Sequence, residues 1–216
     1  PPFAVHSALR YPALMVSLAQ IWRRYPALRR AALAQGFLSI AFSAFWSTLA
    51  VMLAEHYQMG SAASGAFGLA GAAGALAAPL AGHLADKTGA EKVTQLGALL
   101  VTVSFALMFL LPALSLHGQW VLIALSAVGF DLGLQSSLVA HQNLVYRLEP
   151  QARGRLNALL CSGIFIGMAL GSVLGSQAYA LANWQGVVTL ATLSGAIALV
   201  IRLAGKRSSP HQRVRV

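Results

Sequence analysis

Long hydrophobic runs separated by short polar segments dominate the chain. Six runs contain no Lys or Arg, and each is close to the roughly 20 helical residues that cross the hydrocarbon core of a bilayer. They span residues 31–54, 61–81, 93–116, 118–146, 156–181 and 184–201. A bilayer interior offers no water to backbone polar groups, and the runs lack the period-2 alternation of barrel strands. The pattern therefore predicts an all-α, polytopic membrane protein with six transmembrane helices.

The polar segments divide the chain into three parts. We predict a cytoplasmic basic linker over residues 1–30, a six-helix bundle over residues 31–204 and a cytoplasmic basic tail over residues 205–216. In the linker, apolar residues recur near a 3.6 period from Leu14 to Tyr25, with arginines beside them. This spacing fits either a short amphipathic helix on an anionic leaflet or an ordinary basic linker.

Composition and charge agree with a membrane protein. The chain is 57% hydrophobic, has only five acidic residues and carries a formal net charge of +10. All 15 Lys and Arg residues lie before the first run, between the second and third, between the fourth and fifth, or after the sixth. This positive-inside distribution predicts that both termini lie in the cytoplasm. A charge spread in this way argues against nucleic acid as a partner.

The sequence contains no pattern that is typical of an enzyme or a metal site. No His-x-x-x-His, Cys-x-x-Cys, Gly-x-Ser-x-Gly or phosphate-loop pattern occurs, and the six histidines are scattered. The single cysteine, Cys161, lies inside a hydrophobic run, where a packing role is expected. We therefore expect no catalytic residues, no cofactor and no metal.

One hydrophobic run, residues 118–146, contains an acidic residue. Asp131 lies near its midpoint, where an ionised carboxylate costs about 2.5 to 3.5 kcal/mol. Such a residue is either protonated or faces a wet cavity. Gln135 and Gln142 follow on the same helix face. We interpret the three side chains as the lining of a substrate or proton pathway; the alternative for Asp131 is a hydrogen bond that holds a neighbouring helix.

Glycines recur at regular spacing in two predicted helices, and the spacing of four keeps them on one helix face. They stand four apart in the run 156–181 and three apart in the run 61–81: Gly163, Gly167, Gly171 and Gly175 in the former, Gly65, Gly68, Gly71 and Gly74 in the latter. Small residues let helix backbones approach closely in lipid. We expect both helices to be tightly buried within the bundle, and a homodimer interface is the alternative.

The segment GHLADKTG, between the second and third runs, resembles the loop signature of the major facilitator superfamily of transporters. The matching residues are Gly82, Leu84, Ala85, Asp86, Lys87 and Gly89. Ala90 and Glu91 stand where the family has basic residues. The segment RLEPQARGRLNALLCSGIFIGMALGSVLG also resembles the loop that leads into the family's eleventh helix.

The resemblance implies a secondary transporter of the proton-coupled efflux branch, located in the inner membrane of a bacterium. Its implied partners are the lipid bilayer, a small organic solute and protons.

Transporters of this family have two six-helix halves, and this chain resembles the C-terminal half. Because it begins without Met and inside what resembles the central loop, we expect a truncated piece, inactive alone, that lacks its N-terminal six-helix half. Asp86 should then have only local partners such as Lys87. The alternative is a stand-alone protein that acts as a homodimeric channel or binding module.

Overall fold

The computed structural model describes residues 10–205, and the regular structure within them is entirely helical. Seven α-helices follow one another: α1 Tyr11–Arg24, α2 Pro26–Tyr57, α3 Ser61–Leu76, α4 Ala78–Thr88, α5 Ala90–Ala106, α6 Leu116–Tyr146 and α7 Arg153–Ala204. Two 3₁₀ segments, Leu107–Ala113 and Pro150–Ala152, extend α5 and precede α7. The predicted all-α class is confirmed for this part of the chain. The predicted basic tail falls almost wholly outside it.

Five continuous helical stretches within the described residues are long and apolar enough to cross a membrane. They are Pro26–Tyr57, Ser61–Thr88, Ala90–Ala113, Leu116–Tyr146 and Pro150–Ala204. The first four correspond to the first four hydrophobic runs, whereas the fifth contains the last two. The number of spans therefore depends on how the fifth stretch is built.

The fifth stretch reverses its direction within α7. Helical geometry is interrupted at Ala182 and Asn183, and the φ and ψ angles of Asn183 are 52° and −149°. A Cβ atom built on Gly186 would touch the carbonyl oxygen of Ala178, although residues eight apart in a continuous helix lie about 12 Å from each other. We call the two antiparallel segments α7a, residues 153–181, and α7b, residues 184–204.

Helix α2 lies at the centre of the bundle and contacts both segments of α7. Its core contacts include a cluster of aromatic rings formed with α5 and α6. The rings of Phe105 and Phe130 stack with centroids 4.6 Å apart, and Phe45 meets the Phe130 ring edge-on at 4.8 Å. Trp184, at the start of α7b, lies 5.6 Å from Phe45. Such rings contribute large buried apolar area and prefer these offset or edge-on geometries.

Prolines explain two interruptions in the other helices. Pro79, near the start of α4, has no N–H to donate to the carbonyl of Ala75, so α3 ends at Leu76. Pro112 lies inside the 3₁₀ segment that follows α5. Both changes occur near the ends of hydrophobic runs, where a proline is expected to bend or end a helix.

Helices α3 and α4 lie at the edge of the bundle. Gly71 and Gly74 are the buried residues of α3, whereas Leu69 and Leu76 are 74% and 80% exposed. Nothing lies within 4 Å of a Cβ atom built on Gly68, and the same holds for Gly65. The expectation that all the glycines of this helix are tightly buried is therefore wrong, because α3 presents only one narrow face to the bundle.

Helix α1 packs across the beginning of the bundle. Ile21 is buried against Leu28 and Leu156, and the Arg155 guanidinium donates a hydrogen bond to Ser17. At the turn into α2, the Tyr25 hydroxyl donates to Glu149 at 3.0 Å. This hydrogen bond raises the pKa of Tyr25 above its usual range. We call this side, where α2 and α5 begin and α6 and α7 end, the α1 end of the bundle.

Candidate functional site

Asp131 lies in a pocket between α2, α3 and α6. Its side chain is 5% exposed, and the pocket of about 280 Å³ is walled by Phe42 and Trp46 of α2 and by Gly68, Gly71, Ala72 and Ala75 of α3. Within residues 10–205, no donor forms a hydrogen bond with the carboxylate. The alternative role for Asp131, a hydrogen bond to a neighbouring helix, is therefore not seen among these residues.

Two glycines of α3 create the space for this carboxylate. A Cβ atom on Gly71 would lie 2.5 Å from the Asp131 Oδ2 atom and 2.7 Å from the Trp46 ring. A Cβ atom on Gly74 would touch the carbonyl oxygen of Val128 and would lie 3.1 Å from the Asp131 Cβ atom. Real Cβ atoms do not tolerate such contacts, so α3 packs here only because both residues lack a side chain.

The two glutamines predicted to continue the stripe are further along α6. Asp131, Gln135 and Gln142 lie within roughly 40° of each other around the helix axis, so they do share a face. Gln142 is about 16 Å from Asp131 along that axis, and its amide donates to Asn157 Oδ1 at 3.4 Å. The Tyr146 hydroxyl donates to the same oxygen at 2.8 Å. The pocket itself therefore contains Asp131, whereas Gln142 lies at the contact between α6 and α7a.

The signature segment is mostly helical. Gly82, Leu84, Asp86 and Lys87 lie in α4, and only Gly89 lies in the turn before α5, with φ of 91°. The family's loop signature therefore lies mostly on helical turns, which Ala78 to Thr88 form after Pro79. Gly89 requires the left-handed conformation that glycine adopts without strain. Asp86 is exposed, and neither ion pair among the described residues includes it.

The four glycines that stand four apart in α7a pack against α2. A Cβ atom on Gly167 would touch the carbonyl oxygen of Gly36, and one on Gly171 would touch that of Ile40. Equivalent atoms on Gly163 and Gly175 would lie 3.0 Å from the Ala32 oxygen and 2.7 Å from the Ala44 Cα atom. These glycines therefore lie at an internal interface.

A charge cluster at the α1 end was not recognised in the sequence. The Arg202 Nη2 atom lies 2.5 Å from Glu91 Oε2 and the Arg30 Nη2 atom lies 3.3 Å from Glu91 Oε1. Arg202 also donates from Nε to Thr94 Oγ1 at 3.1 Å, and Arg30 donates from Nε to the Ile201 carbonyl at 3.2 Å. The cluster joins α2, α5 and α7b. The sequence feature that could have indicated it is Glu91 in the first turn of α5, where the helix dipole favours negative charge.

A buried histidine was also missed. The His141 side chain of α6 is completely buried, and its Nδ1 atom lies 2.8 Å from Gln35 Oε1 of α2. Because the Gln35 amide nitrogen donates to the Leu134 carbonyl at 3.3 Å, its oxygen is the acceptor and His141 Nδ1–H is the donor. His141 Nε2 has no partner among the described side chains. No sequence spacing links Gln35 to His141, which are 106 positions apart.

No metal site is present in the part of the chain that the structure describes. No group of three or more His, Cys, Asp and Glu side chains comes together there. The pocket around Asp131 contains one carboxylate and apolar walls. A single carboxylate can bind a proton or an organic group, but it offers too few ligands for a metal ion.

These features define a polytopic membrane protein with a single buried carboxylate in a small apolar pocket. The family model of the Major Facilitator Superfamily matches residues 31–215. The chain belongs to the Major Facilitator Superfamily, a family of transporters rather than of enzymes.

Two curated relatives of the chain are named as transporters. The chain is 36% identical over 181 residues to the "Probable transporter SCO4007" of Streptomyces coelicolor, an alignment that covers 82% of this chain and 40% of the relative. It is 33% identical over 205 residues to the "Uncharacterized transporter YgaY" of Escherichia coli O157:H7, covering 94% of this chain and 50% of the relative. The chain thus spans half or less of the length of these relatives.

Proposed function

We propose that the chain forms the C-terminal half of a secondary transporter that moves a small organic solute across the inner membrane of a bacterium, coupled to protons. The observation that carries the proposal is Asp131, a carboxylate in the middle of a transmembrane helix without a hydrogen-bond partner in the described residues. An unpaired acid at that depth is costly unless it binds a proton or a ligand. Aromatic walls from Phe42 and Trp46 suit the apolar part of an organic solute.

Six spans fit the geometry of α7. A straight helix from Arg153 to Ala204 would be about 78 Å long, far more than a bilayer of roughly 30 Å requires. Two spans that meet at Asn183 bring Arg202 back to the α1 end, beside Arg30. With six spans, every basic connection lies on one side of the membrane, which we assign to the cytoplasm together with both termini.

An absent N-terminal half would cover the outer face of α3 and α4. The chain spans 40% and 50% of its two relatives, and a transporter of this family needs a second six-helix unit to enclose its solute site. Leu69 and Leu76 of α3 recur at an interval of seven, so they lie on one side of that helix, and Leu80 of α4 is 72% exposed. We propose that this side and the signature residues Asp86 and Lys87 contact the other half.

Coupling at this site requires that Asp131 binds and releases a proton and that its access changes from one side of the membrane to the other. With Asp131 protonated, the pocket is neutral and can be closed by packed helices at little cost; ionised Asp131 requires water or a cationic group. When the two halves rock about the site, Asp131 would face opposite sides of the membrane in turn. Proton uptake on one side and release on the other would then drive the solute.

The test uses the polypeptide encoded by the complete reading frame, in inside-out membrane vesicles with an imposed proton gradient. We expect Asp131→Asn to abolish solute-dependent proton movement, followed with a pH-sensitive dye, while leaving the protein folded. The control is Glu55→Gln, since Glu55 is an exposed acid whose carboxylate accepts from the Tyr179 hydroxyl; it should keep full transport. Undiminished proton-driven transport by Asp131→Asn would eliminate the assigned role.

A further inference from the structure

A second cavity, of about 530 Å³, lies between α1, α2 and α7a. The glycines Gly36 and Gly167 let α2 and α7a touch, and bulkier side chains beside that contact form the apolar walls of a groove. Leu33 and Phe37 form one wall and Ile166 belongs to the other. No acidic residue lines the groove.

The groove faces away from the Asp131 pocket. Leu33 and Phe37 lie on the groove side of α2, whereas Phe42 and Trp46 lie on the side of the carboxylate. At 100° per residue, the centres of these two pairs are separated by roughly 180° around the helix. The groove therefore does not open toward the Asp131 pocket.

The Arg29 guanidinium lies at the mouth of the groove and is fixed there by hydrogen bonds to α1. The Arg29 Nη1 atom donates to the carbonyl oxygens of Trp22 at 2.9 Å and Arg23 at 2.8 Å. Within residues 10–205, its Nε and Nη2 atoms have no acceptor and remain available to a ligand. Trp22 itself lines the groove, and Arg23 is exposed next to it.

Helix α1 presents an exposed aromatic and apolar face beside this mouth. Tyr11, Met15 and Trp22 are exposed and lie within roughly 40° of each other around the helix axis. An exposed aromatic and apolar face beside arginines is typical of a helix that lies in a membrane interface, with its cations near phosphate. The alternative from the sequence, an ordinary basic linker, does not explain why this face is apolar.

We infer that the groove binds one anionic phospholipid, with an acyl chain between α2 and α7a and the phosphate at Arg29 and Arg23. Each arginine near an anionic headgroup contributes to binding, and the groove walls bury the chain. The inference does not depend on which solute the transporter carries, and it gives α1 a function: anchoring the start of the bundle to the cytoplasmic leaflet.

The test measures phospholipid binding to the purified protein by native mass spectrometry. We expect phosphatidylglycerol to bind at least tenfold more tightly than phosphatidylcholine, and Arg29→Gln to weaken this binding about fivefold. Leu33→Trp, which fills the groove from an exposed position, should reduce it as strongly. The matched controls Lys92→Gln and Leu193→Trp change an exposed charge and an exposed leucine elsewhere and should bind like the wild type.

Several outcomes would overturn the inference. Equal binding of the two lipids, or unchanged binding by Arg29→Gln, would remove the headgroup site. Loss in Arg29→Gln but not in Leu33→Trp would place the lipid outside the groove. Displacement of phosphatidylglycerol by inorganic phosphate would indicate a site for free anions. Ile166→Trp, at a 61% exposed position on the opposite wall, repeats the groove-filling experiment if Leu33→Trp does not fold.

Discussion

Two glycine-rich helices of this chain, α3 and α7a, have similar glycine spacing but pack differently. All four regularly spaced glycines of α7a meet the backbone of α2, whereas α3 uses Gly71 and Gly74 against α6 and leaves Gly65 and Gly68 open. The difference teaches that glycine spacing predicts a possible close contact, while the neighbour decides whether it forms. Helix α7a has the central helix α2 beside it, whereas half of α3 has no neighbour among residues 10–205.

The sharpest test of the difference is a large side chain on each helix. We predict that Gly167→Leu destabilises the protein by about 3 kcal/mol or prevents folding, because its Cβ atom would collide with the Gly36 backbone, which cannot move aside. Gly68→Leu, with open space around its Cβ position, should leave the melting temperature in mild detergent within a degree or two of the wild type. Equal losses in the two variants would contradict the contrast.

Charged residues also differ between α4, at the edge of the bundle, and the contact of α2, α5 and α7b. Glu91 ties Arg30 and Arg202 together next to α7b, whereas Asp86 of α4 has no ion pair among the described residues. We predict that Glu91→Gln costs about 1 to 2 kcal/mol, since Arg202 is buried but the Glu91 side chain is 38% exposed and partly screened. Asp86→Asn should change nothing in the isolated chain. Thermal unfolding of both variants, repeated in high salt, measures the two effects. Equal melting temperatures of Glu91→Gln and Asp86→Asn would contradict the prediction.

The breaks that follow α3 and α7a differ as well. Pro79 separates α3 from α4, but Asn183 reverses the chain with a positive φ that glycine adopts more easily. We predict that Asn183→Gly stabilises the protein by up to about 1 kcal/mol and Asn183→Ala destabilises it by a similar amount. Gln58, whose φ of 57° and ψ of 32° lie in the common left-handed region, is the control, and Gln58→Gly should gain less. A melting temperature lowered by Asn183→Gly would argue against the reversal.

The hydrophobic pattern predicted the helices well because each run must be helical in lipid. The run boundary between residues 181 and 184 coincides with the break at Asn183, and Asp131 was found because a single acid in an apolar helix is unusual. Periodicity could not show that α4 continues through the signature to Thr88, since polar residues are compatible with a helix that leaves the bilayer. Nor could it show which neighbour α3 lacks.

The contacts that escaped prediction join distant parts of the chain. Gln35 and His141 bond across α2 and α6, and Glu91 bonds to Arg202 across α5 and α7b. The members of each pair are 106 and 111 positions apart in the sequence. Pairing them requires knowing which helices are neighbours, and this information lies in packing rather than in local spacing.

The central claim is that the outer face of α3 and α4 belongs to an interface with a second six-helix unit. Its most direct test is the melting temperature of Leu76→Trp, at an 80% exposed position, with Val200→Trp, at a 62% exposed position on α7b, as control. We predict that both variants match the wild type in the isolated chain. In the polypeptide of the complete reading frame, Leu76→Trp should melt several degrees lower while Val200→Trp remains unchanged. Equal stability of Leu76→Trp and the wild type in the complete polypeptide would contradict the claim.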